Sequence, residues 1–224
     1  MSSSWGPAGF GPALRRILAT GWHVYEVIDV GAARGEWTTE CRRLLPDARY
    51  LLIDPLPQNA PLLTQMVAGD GKLAYWQGAV GSVDGHIAIR SHGDQSSVLM
   101  AADEEFRGAA LRVEMRTLDS FLDSGHVRRP DLVKLDVQGY ELEVLRGATR
   151  VLQAAGVVLV ELSFRRLYVD QPLAHEVIGL LADHGFRIAD ICTYSQRARD
   201  GALLQADVLF VREGVLRDSD ERFF

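Results

Sequence analysis

Short apolar runs alternate with amphipathic stretches along most of this 224-residue chain. Pro12 to Thr20 repeats its apolar positions at helical spacing, with proline in the first turn, and predicts a short helix. The runs Val24 to Val30, Arg49 to Ile53, Leu73 to Gln77, Leu132 to Leu135 and Val157 to Leu162 predict strands. Between them, Glu36 to Leu45, Gln58 to Ala68, Thr117 to Leu122, Glu141 to Ala155 and Ala174 to His184 predict helices. His86 to Arg90 alternates after an Asp84-Gly85 turn and reads as a hairpin partner, and Leu111 to Arg116 alternates again. Phe186 to Cys192 and Ala206 to Val211 are the last predicted strands, joined by a polar loop from Thr193 to Gln205 with no helix-length pattern. Strands alternating with helices of about ten residues imply right-handed βαβ units and a mostly parallel sheet. The helix-free last connection implies a reversed last strand. The expected fold is therefore an α/β, Rossmann-like sheet with helices on both faces. Residues 1–23 form an N-terminal segment with a short helix, 24–213 the main domain and 214–224 a C-terminal tail.

In open α/β sheets of this kind, ligands sit beyond the carboxyl ends of the strands. Asp29, Asp54, Ala79, Asp136 and Glu161 stand at those ends. The stretch Asp29-Val30-Gly31-Ala32-Ala33-Arg34-Gly35 carries two glycines between strand and helix, a turn that brings a helix N-terminus up to a ligand. Asp54, 23 positions after Gly31, can accept hydrogen bonds from ribose hydroxyls, or it can simply cap a turn before Pro55. A nicotinamide site usually reads Gly-x-Gly-x-x-Gly. Here the spacing is Gly-x-x-x-Gly and an acidic residue precedes it. A carboxylate there repels a pyrophosphate and welcomes an ammonium group, which favours S-adenosylmethionine. Asp136 can orient the donor's amine, act as a general base or bind a cation; it can also cap the next helix. Glu161 ends a very apolar run and needs a substrate, a metal or a salt bridge. Lys134 shares the face of Asp136. His92, in the loop Ser-His-Gly-Asp-Gln-Ser-Ser, is a candidate base or a solvated loop residue. Trp37, Tyr140 and Tyr168 are candidates to line the substrate pocket or to join the core. Asp136 and Glu161 could together take Mg²⁺, and the sequence leaves open whether a metal is needed.

Composition narrows the partners. The net charge is −6, which argues against nucleic acid or an anionic membrane as a target. Only two cysteines occur, Cys41 and Cys192, with no metal-ligand spacing, so a reducing, cytoplasmic setting is expected. The opening Met-Ser-Ser-Ser-Trp-Gly-Pro lacks a basic and an apolar stretch, so no signal peptide is expected. The longest apolar run is far too short to span a bilayer. The sequence permits a homo-oligomer without specifying one.

With these residues placed, the chain resembles the FkbM-type methyltransferases over about Val24 to Arg212. The blocks that carry the resemblance are Ile28-Asp29-Val30-Gly31-Ala32, Asp54-Pro55-x-Pro57-x-Asn59, Ala79-Val80-Gly81 with Asp84-Gly85, and Ser96-Ser97-Val98. They continue with Thr117-Leu118-Asp119-x-Phe121-Leu122, then Val133-Lys134-Leu135-Asp136-Val137-Gln138-Gly139-Tyr140-Glu141, then Leu145-x-Gly147-Ala148, Val160-Glu161 and Gly185-Phe186. Each is weak alone; their order is specific. Ala33 stands where the family usually has asparagine, and Asp54 where glutamate is commoner, which shortens the reach to a ribose. The resemblance implies a class I methyltransferase fold with a seven-stranded sheet, S-adenosylmethionine as cofactor, and a small-molecule hydroxyl acceptor such as a sugar or natural product. It puts Asp29, Gly31, Ala32, Gly35, Trp37, Asp54, Pro55, Ala79, Val80 and Asp136 at the cofactor, and Asp136, Glu161 and His92 at the chemistry. A protein that keeps the fold without catalysis, a NAD-dependent oxidoreductase and a nucleic-acid methyltransferase are the alternatives.

Overall fold

The computed structural model describes residues 9–90 and 110–216. Its elements run α1 (Phe10–Ala19), β1 (Glu26–Val30), α2 (Glu36–Leu44), β2 (Arg49–Ile53), α3 (Ala60–Val67), β3 (Leu73–Trp76), β4 (Ala79–Val80), β5 (Gly85–Arg90) and β6 (Ala110–Arg116). They continue as α4 (Leu118–Asp123), β7 (Leu132–Leu135), α5 (Glu141–Arg146), α6 (Thr149–Ala154), β8 (Val157–Ser163), α7 (Ala174–Asp183), β9 (Phe186–Gln196) and β10 (Leu203–Arg212). Seven strands form one sheet in the order β3-β2-β1-β7-β8-β10-β9. β10 runs antiparallel between β8 and β9, while the other neighbouring pairs are parallel. This is the mostly parallel sheet with a reversed last strand that the apolar pattern implies.

Strand alternation divides the core. Ile28, Val30, Leu51, Ile53, Val133, Leu135, Val158 and Val160 point to one face and pack with residues of α4 to α7. Val27, Tyr50, Leu52, Leu132 and Leu159 point to the other, against α1, α2 and α3. α1 brings Ala13, Leu14 and Ile17 to this second layer, and Gly9 N donates to Cys192 O at 2.9 Å. Among the described residues, no helix is long and apolar enough to cross a membrane.

Three details depart from the pattern. The helix expected over Glu141 to Ala155 is broken at Gly147 into α5 and α6. A Cβ at Gly147 would lie 2.1 Å from the Gly81 carbonyl oxygen, so the break lets another chain segment lie against the helix backbone. Asp119 then caps α6, its carboxylate accepting from Arg150 N and Val151 N at 3.0 Å. β5 does not pair with β3 as a hairpin. It pairs antiparallel with β6, which also pairs parallel with β4, in a separate three-stranded sheet. Finally, β9 and β10 run on to Gln196 and Leu203, so most of the expected polar loop from Thr193 to Gln205 is strand.

Candidate functional site

The carboxyl ends of β1, β2, β4 and β7 enclose a cavity of about 710 Å³. Val30, Ile53, Leu56, Val80 and Ile89 give it an apolar lining, while Asp54, Asn59, Asp136 and Gln138 bring polar groups to it. A site of this size and mixed lining suits a nucleoside-sized ligand.

Its narrowest joint is between β1 and β7. Gly31 turns at φ 74, and a Cβ there would lie 1.8 Å from the Asp136 carbonyl oxygen. Only glycine lets the two strand ends approach so closely. Gly31 N and Ala32 N both donate to Ile53 O, at 2.9 and 3.0 Å, which ties β1 to β2.

Asp54 closes one wall. Its Oδ2 accepts from Ala33 N at 2.9 Å, and its Oδ1 from Leu56 N at 3.0 Å and Asn59 Nδ2 at 2.9 Å. Burial pushes this carboxyl up, opposed by those hydrogen bonds from Asn59, Leu56 and Ala33. A carboxylate has about four lone-pair sites. At least three serve the protein itself, which leaves room for at most one ligand hydroxyl.

Asp136 closes the opposite wall. Lys134 lies beneath it, buried, with Nζ 2.8 Å from Gly31 O, 3.2 Å from Asp29 Oδ1 and 3.6 Å from Asp136 Oδ2. Burial works to strip the Lys134 proton, but Asp29 and Asp136 outweigh it and the net displacement is upward. The chain then passes through two left-handed residues, Gln138 at φ 53 and Gly139 at φ 95. Glu141, buried, holds this turn by accepting from Val137 N and Gly139 N, each at 3.1 Å. Burial pushes Glu141 up to about 7 despite those two donors. The turn aims the Gln138 amide between two carboxylates. Its Nε2 lies 3.0 Å from Asp136 Oδ1 and 3.3 Å from Glu161 Oε2.

Of the residues read from the sequence, Gly31, Asp54, Pro55, Ala79, Val80 and Asp136 line the cavity. The other four donor-site candidates do not. Asp29 is fully buried on the α2 side, where Thr38 Oγ1 donates to it at 2.6 Å. It pairs in register with Lys134, and strand alternation turns it away from the crevice. Ala32 is buried in the core layer of α1 to α3. Gly35 is required by its φ of 80 and by Met66, whose sulfur lies 2.6 Å from where a Cβ would be. Trp37 packs tilted against Phe10 of α1, ring centroids 5.2 Å apart. Glu161 sits beyond Gln138 and outside the cavity lining, yet within reach of Asp136 through the shared amide. His92 and the Ser96-Ser97 pair lie outside the described residues. Tyr140 lines the cavity, and Tyr168 is buried with its hydroxyl 3.4 Å from Gln138 Oε1. Leu56 and Ile89 also meet the cavity without having been singled out, and Asn59 and Gln138, quoted only within longer blocks, do so without having been given a role. For Gln138 a signal existed, two positions after a strand-end aspartate and beside a glycine.

The Mg²⁺ that Asp136 and Glu161 could take, which the sequence leaves open, gains no support from the structure. An amide N–H points at both carboxylates, taking lone pairs a hard cation would need. Among the described residues, no group of three or more His, Cys, Asp or Glu is placed to hold a metal. S-adenosylmethionine does fit: the apolar walls suit an adenine, Asp54 can take a ribose hydroxyl, and Asp136 offers negative charge to a cationic donor end.

Comparison with known proteins points the same way. The methyltransferase FkbM domain matches residues 29–188. Hexuronic acid methyltransferase AglP of Haloferax volcanii is 38% identical over 77 residues, which is 31% of this chain and 32% of AglP. The 2-O-methyltransferase NoeI of Sinorhizobium fredii is 22% identical over 170 residues, 69% of this chain and 70% of NoeI. The match thus spans about a third of the first relative and 70% of the second. The fibrillarin pre-rRNA processing protein of Methanococcus jannaschii shares the fold, with a TM-score of 0.50 and 13% identity, over 85% of this chain and 67% of that one.

Proposed function

The chain belongs to the FkbM methyltransferase family, and from that premise we propose that it transfers a methyl group from S-adenosylmethionine to a hydroxyl of a sugar or related small natural product. The cavity carries this reading. Its lining holds two carboxylates, Asp54 and Asp136, beside apolar side chains, and this supports Asp54 as the ribose contact. The named activities of AglP and NoeI support a sugar hydroxyl as acceptor. The net charge of −6 supports a small molecule rather than a nucleic acid. Two buried free cysteines suit a reducing cytoplasm.

When bound, S-adenosylmethionine supplies an electrophilic methyl on a positive sulfur. Asp136, braced by Lys134 and Gln138, orients the donor's cationic end. Positioning of two reactants in this way can be worth roughly 7–11 kcal/mol of barrier. An alkyl hydroxyl is a weak acid, so the attack also needs a proton acceptor, worth about 10²–10⁴-fold. Glu161, linked to Asp136 through one amide, takes that role.

Thermal denaturation with S-adenosylhomocysteine and with NAD⁺ tests the donor class. S-adenosylhomocysteine raises the melting temperature and NAD⁺ leaves it unchanged. Stabilisation by NAD⁺ alone would replace methyl transfer with redox chemistry.

A further inference from the structure

Two carboxamides converge on one oxygen of Glu161. Gln138 Nε2 donates to Oε2 at 3.3 Å, and Gln205 Nε2, from β10, donates to the same Oε2 at 2.7 Å. The nitrogen of each amide faces the carboxyl group, the orientation that an ionised carboxylate, an acceptor only, requires. The surroundings are otherwise hostile to a negative charge. Asp136 at the end of β7, Glu141 on α5 and Asp207 on β10 all face Glu161 electrostatically, with Lys134 of β7 as the opposing cation. Asp207 itself accepts from Thr193 of β9. Tyr168, from the segment after β8, lies in the same field. Burial first, and then Asp136, Glu141 and Asp207, push Glu161 up to about 9.

An amide N–H cannot give up its proton at these pH values, so it does not act as an acid toward Glu161. A proton landing on Oε2 would cost both amide hydrogen bonds, whereas one landing on Oε1 costs neither. Resting on the methyl-transfer reading, we propose that Gln138 and Gln205 are positioning residues that pin Oε2 of Glu161 and reserve Oε1 for the proton leaving the acceptor hydroxyl. The acceptor's O–C bond forms as the donor's S–C bond breaks, with that electron pair going to sulfur. The ionised form of Glu161, populated as pH rises into the alkaline range, takes the hydroxyl proton on Oε1, and the resulting neutral acid then releases it to water. Gln138 also touches Asp136, so one side chain sets the spacing between the donor-facing carboxylate and the proton acceptor.

The test uses carboxyl-¹³C-glutamate labelling and NMR titration of the full chain. One glutamate signal titrates in the alkaline range and is missing in Glu161→Gln, which assigns it. In Gln205→Met, matched in length but without a donor, its midpoint rises by about one pH unit. Gln138→Met gives the same direction from the opposite side, so the inference does not hang on one variant folding. In Gln205→Met, whose side chain is not part of the cavity lining, the pH midpoint of kcat/KM for methyl transfer moves upward with the NMR midpoint, while the dissociation constant of S-adenosylhomocysteine stays put. An unmoved signal in both variants overturns the pinning. A moved signal with an unmoved kinetic midpoint overturns the proton-acceptor role. If the signal moves but the wild-type protein transfers no methyl group to any acceptor, the pinning stands and the methyl-transfer reading falls.

Discussion

At the scale of single residues, the site is two carboxylates with different employments. Asp54 holds loops together as much as it faces a ligand. Replacing it with alanine leaves Ala33 N–H and Leu56 N–H without their acceptor. Asp54→Ala therefore loses about 1–3 kcal/mol of stability per orphaned buried group in denaturant titration, and calorimetry shows weaker S-adenosylhomocysteine binding. Unchanged affinity would remove Asp54 from the donor site. On the proposed reading Asp136 orients the donor, and Asp136→Ala lowers kcat by at least about 100-fold, the lower range for a charge-stabilising group. Wild-type turnover in that variant would refute its role. Glu161 makes stability depend on pH. Its folded value stands near 9, above the ordinary 4.5. The native state thus binds the proton more tightly than the unfolded chain does. This contribution is full below about pH 4.5 and is lost as pH rises through about 9. The melting temperature falls over that window, and Glu161→Gln flattens the fall. Identical slopes in the two proteins would contradict the assignment. Strand-end position pointed to Asp54 and Asp136, and both line the cavity. Asp29 was misleading because it lies one residue before the strand end, and period-two alternation sends its side chain inward to Lys134.

At the scale of elements, the site depends on close approach. The β1–α2 turn meets the end of β7 over Gly31, where no side chain fits. Gly31→Ala puts a methyl group against the Asp136 carbonyl and a non-glycine residue at φ 74, forcing the strand ends apart. Circular dichroism melts show this as a loss of several kcal/mol, in the upper range of point-mutant effects, together with loss of donor binding. A variant as stable as the wild type would mean that the joint is not rigid. The long parallel strands and their helices were legible because runs such as Val157 to Val160 are continuous and apolar. Others were not. β4 is two residues long, too short to carry a period. Its partner β6 begins 30 positions after β4 ends, so the small sheet is fixed by tertiary pairing. The break at Gly147 is likewise set by Gly81 from a distant segment.

At the scale of the whole molecule, a sheet with helices on both faces brings acidic strand ends to one edge, and β10 completes the arrangement. Running antiparallel between β8 and β9, it delivers Gln205 and Asp207 to the neighbourhood of Glu161. The sequence showed the reversed strand but not this consequence, because Gln205 fell in a stretch that read as loop. Methyl transfer to a hydroxyl is the claim on which the rest depends, and it is measured most directly with S-adenosylmethionine carrying a deuterated methyl group. Incubated with a panel of sugars and uronic acids, the protein yields an acceptor heavier by one labelled methyl, which NMR locates on oxygen as an ether. A label found on nitrogen or as a carboxyl ester, or no transfer to any hydroxyl while the donor analogue binds, would contradict it.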